Sequence, residues 1–207
     1  MYNQRATILW NRRVGPAHHR IGIGCRAEFA DAVPGQFVMV RPAGRQGPLL
    51  RRPYSIFNPI EEQGRAVGIE LLIKVVGEGT GQLCGLSPGA AVDLLGPLGR
   101  GFRVPPQMKR AVLVAGGIGV APIYFLSLTM VKNRLPAKQQ RIYVGARSDQ
   151  ELLCLADFEA LGYPVTCTTD DGSAGDQCLI TDPLEALVAA HRPDMVYACG
   201  PPAMLAC

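Results

Sequence analysis

The pattern of apolar and polar residues changes about halfway along the 207-residue chain. Up to about Val104, short apolar stretches are broken by Gly and Pro, and only residues 79–86 are spaced like a short helix. Such stretches predict β-strands, and a run of them without long helices is typical of an antiparallel Greek-key barrel. The predicted strands are 6–10, 19–25, 36–41, 53–57, 66–76 and 91–95.

After Lys109 the pattern becomes apolar strands that alternate with helical stretches. This alternation predicts a Rossmann-like parallel sheet with helices on both faces. The proline pair at 105–106 can continue neither a β-ladder nor a helix. We therefore predict two domains, 1–104 and 108–207. In the second, strands are expected at 111–115, 141–146, 165–169 and 195–198, and helices at 121–133, 150–161 and 182–190.

One apolar run resembles a membrane span, since residues 111–131 contain no charge and are long enough to cross a bilayer. Glycines and a proline interrupt the run where a strand would end and a helix would begin. A strand followed by a buried helix explains the apolar character without lipid. The sequence therefore predicts a βα unit and no membrane span.

Charge and cysteine usage narrow the class of protein further. The net charge is +4, aromatic residues make up 6%, and the basic residues are scattered apart from Arg41, Arg45, Arg51 and Arg52. A nucleic-acid partner is not expected without a denser basic surface. The seven cysteines are widely spaced, form no C-x-x-C pair and follow no signal peptide, which predicts reduced thiols, no metal site and a cytoplasmic location.

The first candidate site is the segment Arg52, Pro53, Tyr54 and Ser55, at the start of a predicted strand. An arginine here can bind a phosphate through two hydrogen bonds, the tyrosine can pack on a flat heterocycle, and the hydroxyl can reach a ring heteroatom. On these four residues alone, a surface arginine followed by ordinary strand residues is the favoured interpretation.

The second candidate is the glycine-rich turn after the strand that ends at Lys74 and Val75. Backbone N–H groups at the following helix start, with Gly79 and the Thr80 hydroxyl beside them, are suited to a pyrophosphate. An ordinary tight turn is an equally good interpretation of this stretch in isolation.

The third candidate links an apolar strand to a helix through Gly116, Gly117 and Gly119, with Pro122 in the first helical turn. Proline is tolerated in that turn because its missing N–H has no partner there. The context matches a dinucleotide site, although the spacing differs from G-x-G-x-x-G.

Two further segments follow the ends of predicted strands. Asp170 and Asp171 can accept hydrogen bonds from a ribose and would repel a 2′-phosphate, which favours NAD over NADP, whereas Arg147 argues the other way. Cys199, Gly200 and Pro201 follow the fourth strand, where open α/β sheets bind ligands and where a small thiol leaves room for a nicotinamide ring. No histidine is placed to activate Cys199 as a nucleophile.

With these residues in place, the chain resembles the ferredoxin-NADP reductase superfamily and, within it, the electron-transfer subunit of NAD-dependent dihydroorotate dehydrogenase. The resemblance runs from Thr7 to Met204. Six segments carry it: 51–55, 74–80, 96–99, 116–122, 169–173 and 199–201.

The resemblance implies an FAD-binding barrel joined to an NAD-binding domain, with hydride transfer from NADH to the flavin. By it, residues 52, 54 and 55 hold the flavin, 79 and 80 its pyrophosphate, 116–119 and 170 the nicotinamide dinucleotide, and 199–201 border the hydride-transfer gap. It further implies a hetero-oligomer with an FMN-containing dihydroorotate dehydrogenase catalytic subunit in pyrimidine biosynthesis.

One part of the family pattern is missing. The resemblance implies a 2Fe-2S cluster held by four cysteines beyond the G-P-x-x-M motif, but the sequence stops at Cys207, where a helix would have just begun. We therefore expect a C-terminally truncated second domain without cluster ligands. The NADH-binding subunit of a ferredoxin-dependent transhydrogenase, or of a sulfur- or hydrogen-metabolising complex, shares these motifs, and a non-catalytic docking subunit is the third alternative.

Overall fold

The computed structural model describes residues 1–44 and 50–206, so Arg45 and Cys207 lie outside the described residues. The chain divides into two compact units, Met1–Gly101 and Phe102–Cys207. Each unit is built around its own sheet.

The first unit is a closed antiparallel barrel with the strand order β1-β2-β5-β4-β3-β6, in which β6 pairs with β1 to close the ring. The crossing connections give it the predicted Greek-key character, and all six predicted strands are confirmed. A short helix, α1, packs against β3 and β5. The elements are β1 (Tyr2–Arg13), β2 (His18–Gly24), β3 (Phe37–Pro42), β4 (Arg52–Glu62), β5 (Arg65–Lys74), α1 (Glu78–Cys84) and β6 (Ala91–Leu98).

Alternating apolar residues fill the interior of the barrel. In the antiparallel pair of β2 and β5, Ile21 lies opposite Leu71 and Ile23 lies opposite Ile69, and all four side chains are fully buried. Side chains on successive strand residues point to opposite faces, so this pattern fixes which face of each strand looks inward. Burial of each such side chain contributes about 1.5–3 kcal/mol to stability.

The second unit is a four-stranded parallel sheet with the order β10-β7-β8-β9. The strand order reverses beside β7, because the chain moves outward through β8 and β9 and then returns to the other side of β7. The elements are β7 (Ala111–Gly116), α2 (Val120–Lys132), β8 (Arg141–Ala146), α3 (Leu155–Ala160), β9 (Val165–Thr169), α4 (Leu184–His191), β10 (Met195–Cys199) and α5 (Pro202–Leu205).

Helices cover both faces of this sheet, as predicted. The α2 helix packs against β7 and β10, and its residues 120–127 are all buried. On the opposite face, Leu184 and Leu187 of α4 pack against Val112, Val114 and Tyr143. The apolar run 111–131 is thus divided between β7 and α2, and within the described residues we find no helix with the length and apolar character of a membrane span.

The predicted helix at 150–161 is wrong in its first half. Asp149–Glu151 forms a single 3-10 turn, and the α-helix starts only at Leu155. Between them, Cys154 has a φ of 65°, in the left-handed region. A residue in that conformation cannot continue a right-handed helix, so the two turns stay separate.

The second unit begins at Phe102, two residues before Val104, the predicted end of the first domain. Phe102 and Arg103 belong to the second unit because they contact Tyr197 of β10. The Tyr197 hydroxyl donates a 2.6 Å hydrogen bond to the carbonyl oxygen of Arg103. The ring of Tyr197 also meets the ring of Phe102 edge to face, with centroids 5.6 Å apart.

Asn11 of β1 anchors the C-terminal end of α1. Its side-chain amide donates hydrogen bonds to the carbonyl oxygens of Cys84 and Leu86, at 2.8 and 2.9 Å. The last carbonyls of a helix have no partner within the helix, so a side-chain donor here satisfies groups that would otherwise be unpaired. The Asn11 carbonyl oxygen lies 3.0 Å from Nδ1 of His19, which fixes the orientation of the amide.

We expect Asn11→Ala to lower the free energy of unfolding by about 2 kcal/mol, since two hydrogen bonds to helix-end carbonyls are lost. Urea denaturation followed by circular dichroism measures the change. Asn3→Ala is the matched control on the same strand, because Asn3 is exposed and accepts one exposed hydrogen bond from Arg51. Equal losses for the two variants would contradict the anchoring role.

Candidate cofactor-binding sites

The segment from Arg52 to Ser55 forms the start of β4 and pairs with β3. Arg52 is exposed, and one of its terminal nitrogens donates a 2.7 Å hydrogen bond to the carbonyl oxygen of Leu50. Tyr54 is half-buried, and burial raises the pKa of its hydroxyl to about 12; the nearby Cys84 adds a smaller rise and Arg52 lowers it. The tyrosine therefore stays neutral and lies beside the end of α1.

Strand alternation separates the four residues of this segment into two pairs. Arg52 and Tyr54 lie on one side of β4, and Pro53 and Ser55 lie on the other. Only the first pair combines an exposed guanidinium with an aromatic ring, which is the combination suited to a phosphate followed by a flat heterocycle.

The turn between β5 and α1 is shaped by the hydroxyl of Thr80. This oxygen accepts hydrogen bonds from the N–H groups of Val76 and Gly77, at 2.9 and 3.1 Å, and donates one to the carbonyl oxygen of Gly77 at 2.8 Å. The hydroxyl is thus used within the turn. The donors left for an anion are the backbone N–H groups of the first helical turn, at 78–80, which have no acceptor four residues back in the helix.

The residues that precede the same turn are fixed by backbone contacts within the barrel. Lys74, the last residue of β5, lies opposite His18, and the N–H of Val75 donates a 2.7 Å hydrogen bond to the carbonyl oxygen of Ala17. Lys74 and Val75 therefore position the turn through the backbone, and Gly79 follows in the first turn of α1.

Arg51 is a residue that the sequence reasoning left without a role of its own. One terminal nitrogen donates a 2.9 Å hydrogen bond to the side chain of Asn3. Its Nε is buried and has no hydrogen-bond partner among the described residues. Buried donors are usually hydrogen-bonded in folded proteins, so this Nε stands out among the described residues. The doubled arginine in the sequence was the available signal.

In the second unit, three glycines let two loops approach within van der Waals contact at the carboxyl ends of β7 and β10. A Cβ atom at Gly119 would lie 2.2 Å from the carbonyl oxygen of Cys199. At Gly116 it would lie 2.6 Å from the sulfur of Met204, and at Gly200 it would lie 2.5 Å from the terminal methyl of the same residue. A side chain at Gly119 would force the backbones apart, whereas one at Gly116 or Gly200 would first displace the flexible end of the Met204 side chain.

Gly117 differs from these three glycines. Its φ is 52°, in the left-handed region, and a Cβ atom there would meet nothing within 4 Å. The turn at Gly117 therefore borders open space at the sheet edge, as a backbone that approaches a ligand would. Pro122 is buried in the first turn of α2, where the loop becomes a regular helix.

The segment Cys199 to Pro201 leaves β10 next to the end of β7, at the point where the strand order reverses. In open α/β sheets, ligands bind outside the carboxyl ends of the strands at this reversal. Burial raises the pKa of the Cys199 thiol, so the group is a neutral thiol and a poor nucleophile at neutral pH.

Asp170 and Asp171 follow β9, and the structure gives them different surroundings. The Asp171 carboxylate accepts hydrogen bonds from the N–H and the hydroxyl of Ser173, at 2.9 and 2.6 Å, and these bonds lower its pKa. The Asp170 carboxylate is exposed and has no hydrogen bond or ion pair to any described residue. Arg147, which follows β8, is exposed as well.

Metal ligands are not grouped in the described part of the chain: we find no cluster there of three or more His, Cys, Asp or Glu residues that could hold an ion. The six cysteines described form no disulfide.

Two family descriptions match the chain, and together they cover most of it. The oxidoreductase FAD-binding domain matches residues 17–102, and the oxidoreductase NAD-binding domain matches residues 113–207. The first match includes the barrel segments described above, and the second includes the glycine loop, the two aspartates and the Cys199 segment.

Among curated relatives, the chain is 38% identical over 174 residues to the dihydroorotate dehydrogenase B (NAD(+)) electron transfer subunit of Desulforamulus reducens, covering 84% of this chain and 64% of that one. It is 35% identical over 204 residues to the subunit of the same name from Bacillus caldolyticus, covering 98% of this chain and 76% of that one. The chain thus spans less than two thirds of the length of the first relative.

Among solved structures, that of an NADH-dependent reduced ferredoxin-NADP oxidoreductase, described for its insights into flavin-based electron bifurcation, has the same fold. The TM-score is 0.78 at 24% identity, and the match covers 97% of this chain and 69% of that one.

The glycine contacts predict a difference between two neighbouring substitutions. Gly119→Ala should lower the free energy of unfolding by about 3 kcal/mol or more, because the new Cβ collides with backbone that cannot rotate away. Gly117→Ala should cost about 1–2 kcal/mol, since only the left-handed backbone opposes it. Thermal and chemical denaturation of the two variants provide the measurement. A larger cost at Gly117 would contradict the close approach at Gly119.

Proposed function

The chain belongs to the family of the dihydroorotate dehydrogenase B (NAD(+)) electron transfer subunits, and from this membership we propose that it is an FAD-dependent NAD(H) oxidoreductase that serves a separate catalytic subunit. The observation that carries the proposal is the presence, in one chain, of a barrel and a parallel sheet that match an FAD-binding and an NAD-binding domain. Both domains are needed for electrons to pass between the two cofactors.

In this proposal the barrel holds FAD. The guanidinium of Arg52 and the first-turn amides of α1, including that of Gly79, bind the diphosphate, while Thr80 keeps the turn in shape through its hydroxyl. The half-buried ring of Tyr54 packs on the flavin, and Pro53 and Ser55 complete the same segment at the start of β4 from the other side of the strand. When bound, FAD supplies a two-electron acceptor that can release electrons one at a time.

The parallel sheet in turn holds NAD(H). The loop from Gly116 to Gly119 brings backbone close to the dinucleotide, and Asp170 accepts hydrogen bonds from a ribose. The segment Cys199 to Pro201 borders the nicotinamide, where the small neutral thiol leaves room for the ring and does not compete as a nucleophile.

The onward partner is proposed from the names of the relatives. They are electron transfer subunits of dihydroorotate dehydrogenase B, which supports delivery of electrons to, or from, an FMN-containing catalytic subunit in pyrimidine biosynthesis. A 2Fe-2S cluster belongs to this transfer in the family that the sequence resembles. The proposal includes a cytoplasmic location, which the widely spaced cysteines support.

A flavin-reduction experiment tests the function. The purified chain is expected to take up FAD and turn yellow, and NADH should then bleach the flavin faster than NADPH, because Asp170 repels a 2′-phosphate. Absorption spectra after incubation with FAD or FMN, followed by stopped-flow reduction with each nucleotide, measure both steps. Absence of a flavin band with either cofactor would contradict the proposal, and faster reduction by NADPH would assign nucleotide choice to Arg147.

Arg52→Ala should weaken FAD binding by about 2 kcal/mol or more, roughly 30-fold, because a charge-assisted pair to phosphate is lost. Fluorescence titration of the apoprotein with FAD gives the dissociation constant. Arg65→Ala is the matched control, since Arg65 is an exposed arginine at the start of β5 and outside the motifs. Equal weakening by the two substitutions would refute the phosphate contact of Arg52.

A further inference from the structure

A cleft of about 340 Å³ lies on the outer face of β1, β2 and β5, and none of its residues belongs to the segments assigned to FAD. We call it the β1 cleft, and its lining residues are Trp10, Arg12, Val14, Arg20 and Glu70. Ligand pockets measure about 300–1,000 Å³ and are mostly apolar, whereas three of the five residues here are charged. The β1 cleft therefore suits a side chain of a protein partner better than a small-molecule cofactor.

A β-bulge in β1 brings two large apolar side chains to this outer face. The register of β1 with β2 shifts between Ile8 and Trp10, which makes Leu9 the extra residue. A Cβ atom at Gly22 would lie 2.5 Å from the indole of Trp10, and one at Gly24 would lie 2.9 Å from the side chain of Leu9. The two glycines are two positions apart on β2 and face the same side of the strand. Leu9 and Trp10 thus lie side by side, although they are consecutive in the chain.

The charges in the β1 cleft do not cancel. Glu70 is buried and accepts a hydrogen bond from Nε of Arg20, so these two residues form a neutral ion pair. The Arg12 guanidinium is exposed and lies 5.0 Å from the centre of the Trp10 ring. It makes no hydrogen bond or ion pair with any described residue. The β1 cleft therefore carries one positive charge that is left without an anion in the described part of the chain.

The donors at the β1 cleft are arranged for a carboxylate. The cation–π contact keeps the Arg12 guanidinium over the Trp10 ring, so less side-chain freedom is lost when an anion binds. The indole N–H of Trp10 also has no acceptor among the described residues. A carboxylate can accept two parallel hydrogen bonds from a guanidinium and has lone pairs left for a further donor. An acidic side chain of a partner would thus complement both the charge and the donors.

We propose that the β1 cleft is the docking surface for the separate catalytic subunit, which inserts a carboxylate side chain beside Arg12 and Trp10. Tryptophan and arginine are among the residue types that most often anchor protein interfaces. Leu9 and Val14 are 38% and 39% exposed, and they supply apolar contacts around the charged centre. The inference rests on the proposed function, because that function requires a partner for the electrons.

Binding to the FMN-containing catalytic subunit of the same organism, measured by calorimetry, tests this surface. Arg12→Glu should weaken the complex about 30-fold or more, the loss typical of an interface anchor, because it places two carboxylates together. Arg12→Lys keeps the charge and loses the paired donors, so its loss should be about tenfold or less. The matched control is Arg5→Glu, the same charge change at an exposed arginine near the start of β1, and it should stay within about twofold of wild type.

Three readouts separate docking from a structural role. Val14→Glu adds a negative charge at the β1 cleft without altering Trp10, and it should weaken the complex about tenfold. The association rate of the wild type should fall as salt is added, whereas that of Arg12→Glu should not. Trp10 is the only tryptophan in the chain, so a chain labelled with fluorotryptophan gives one fluorine NMR signal, which should shift when the catalytic subunit binds.

The rate at which NADH reduces the flavin is measured for every variant and should equal that of the wild type. Wild-type affinity in Arg12→Glu, or an equal loss in Arg5→Glu, would overturn the docking surface while reduction by NADH leaves the proposed function standing. An Arg12→Glu variant that still binds the catalytic subunit but no longer forms a dimer of this chain would also overturn it and would assign the surface to a second copy. A wild-type flavin that NADH cannot reduce would overturn the proposed function instead.

Discussion

The second unit depends on the close approach of two backbones at the carboxyl ends of β7 and β10. Gly119 lies so near the Cys199 carbonyl that no side chain fits between them, whereas Gly116 and Gly200 contact the flexible end of the Met204 side chain. This contact joins the end of the central strand to the end of its neighbour, at the point where the strand order reverses. Replacing a hydrogen of Gly119 with a methyl group would separate the two loops that the proposed nucleotide site needs side by side.

The barrel and the sheet position their sites by different means. In the barrel, the side-chain amide of Asn11 donates to a carbonyl oxygen at the C-terminal end of α1, and the Thr80 hydroxyl accepts from backbone N–H groups just before its start. Side chains thus pair backbone groups at the two ends of this seven-residue helix. In the sheet, the glycine loop carries no such side-chain contacts, and the absence of side chains is itself what permits the packing. Both units thus contain an ordered turn beside a candidate ligand site. The barrel orders its turn with hydrogen-bonding side chains, and the sheet orders its turn with glycines.

Much of the fold follows from the sequence because apolar periodicity records which faces are buried. All six barrel strands and all four sheet strands were predicted. The predicted helix at 150–161 is interrupted in the structure at Cys154, which has a left-handed backbone conformation. A residue other than glycine in that conformation leaves no recognisable pattern in the sequence. The different surroundings of Asp170 and Asp171 could not be predicted either. Only Asp171 accepts hydrogen bonds from Ser173, both on Oδ1, and two identical neighbours in a sequence do not show which of them makes such contacts.

The hydrogen bond from Tyr197 to Arg103 spans 94 positions of the chain. During synthesis, Arg103 therefore cannot form this hydrogen bond until β10 has been made. One edge of the apolar strand β7 also stays unpaired until then. Contacts of such long separation slow folding and leave strand edges open to other chains in the meantime. The segment that completes the proposed nucleotide site is thus also the one whose late synthesis leaves the nascent protein prone to aggregation.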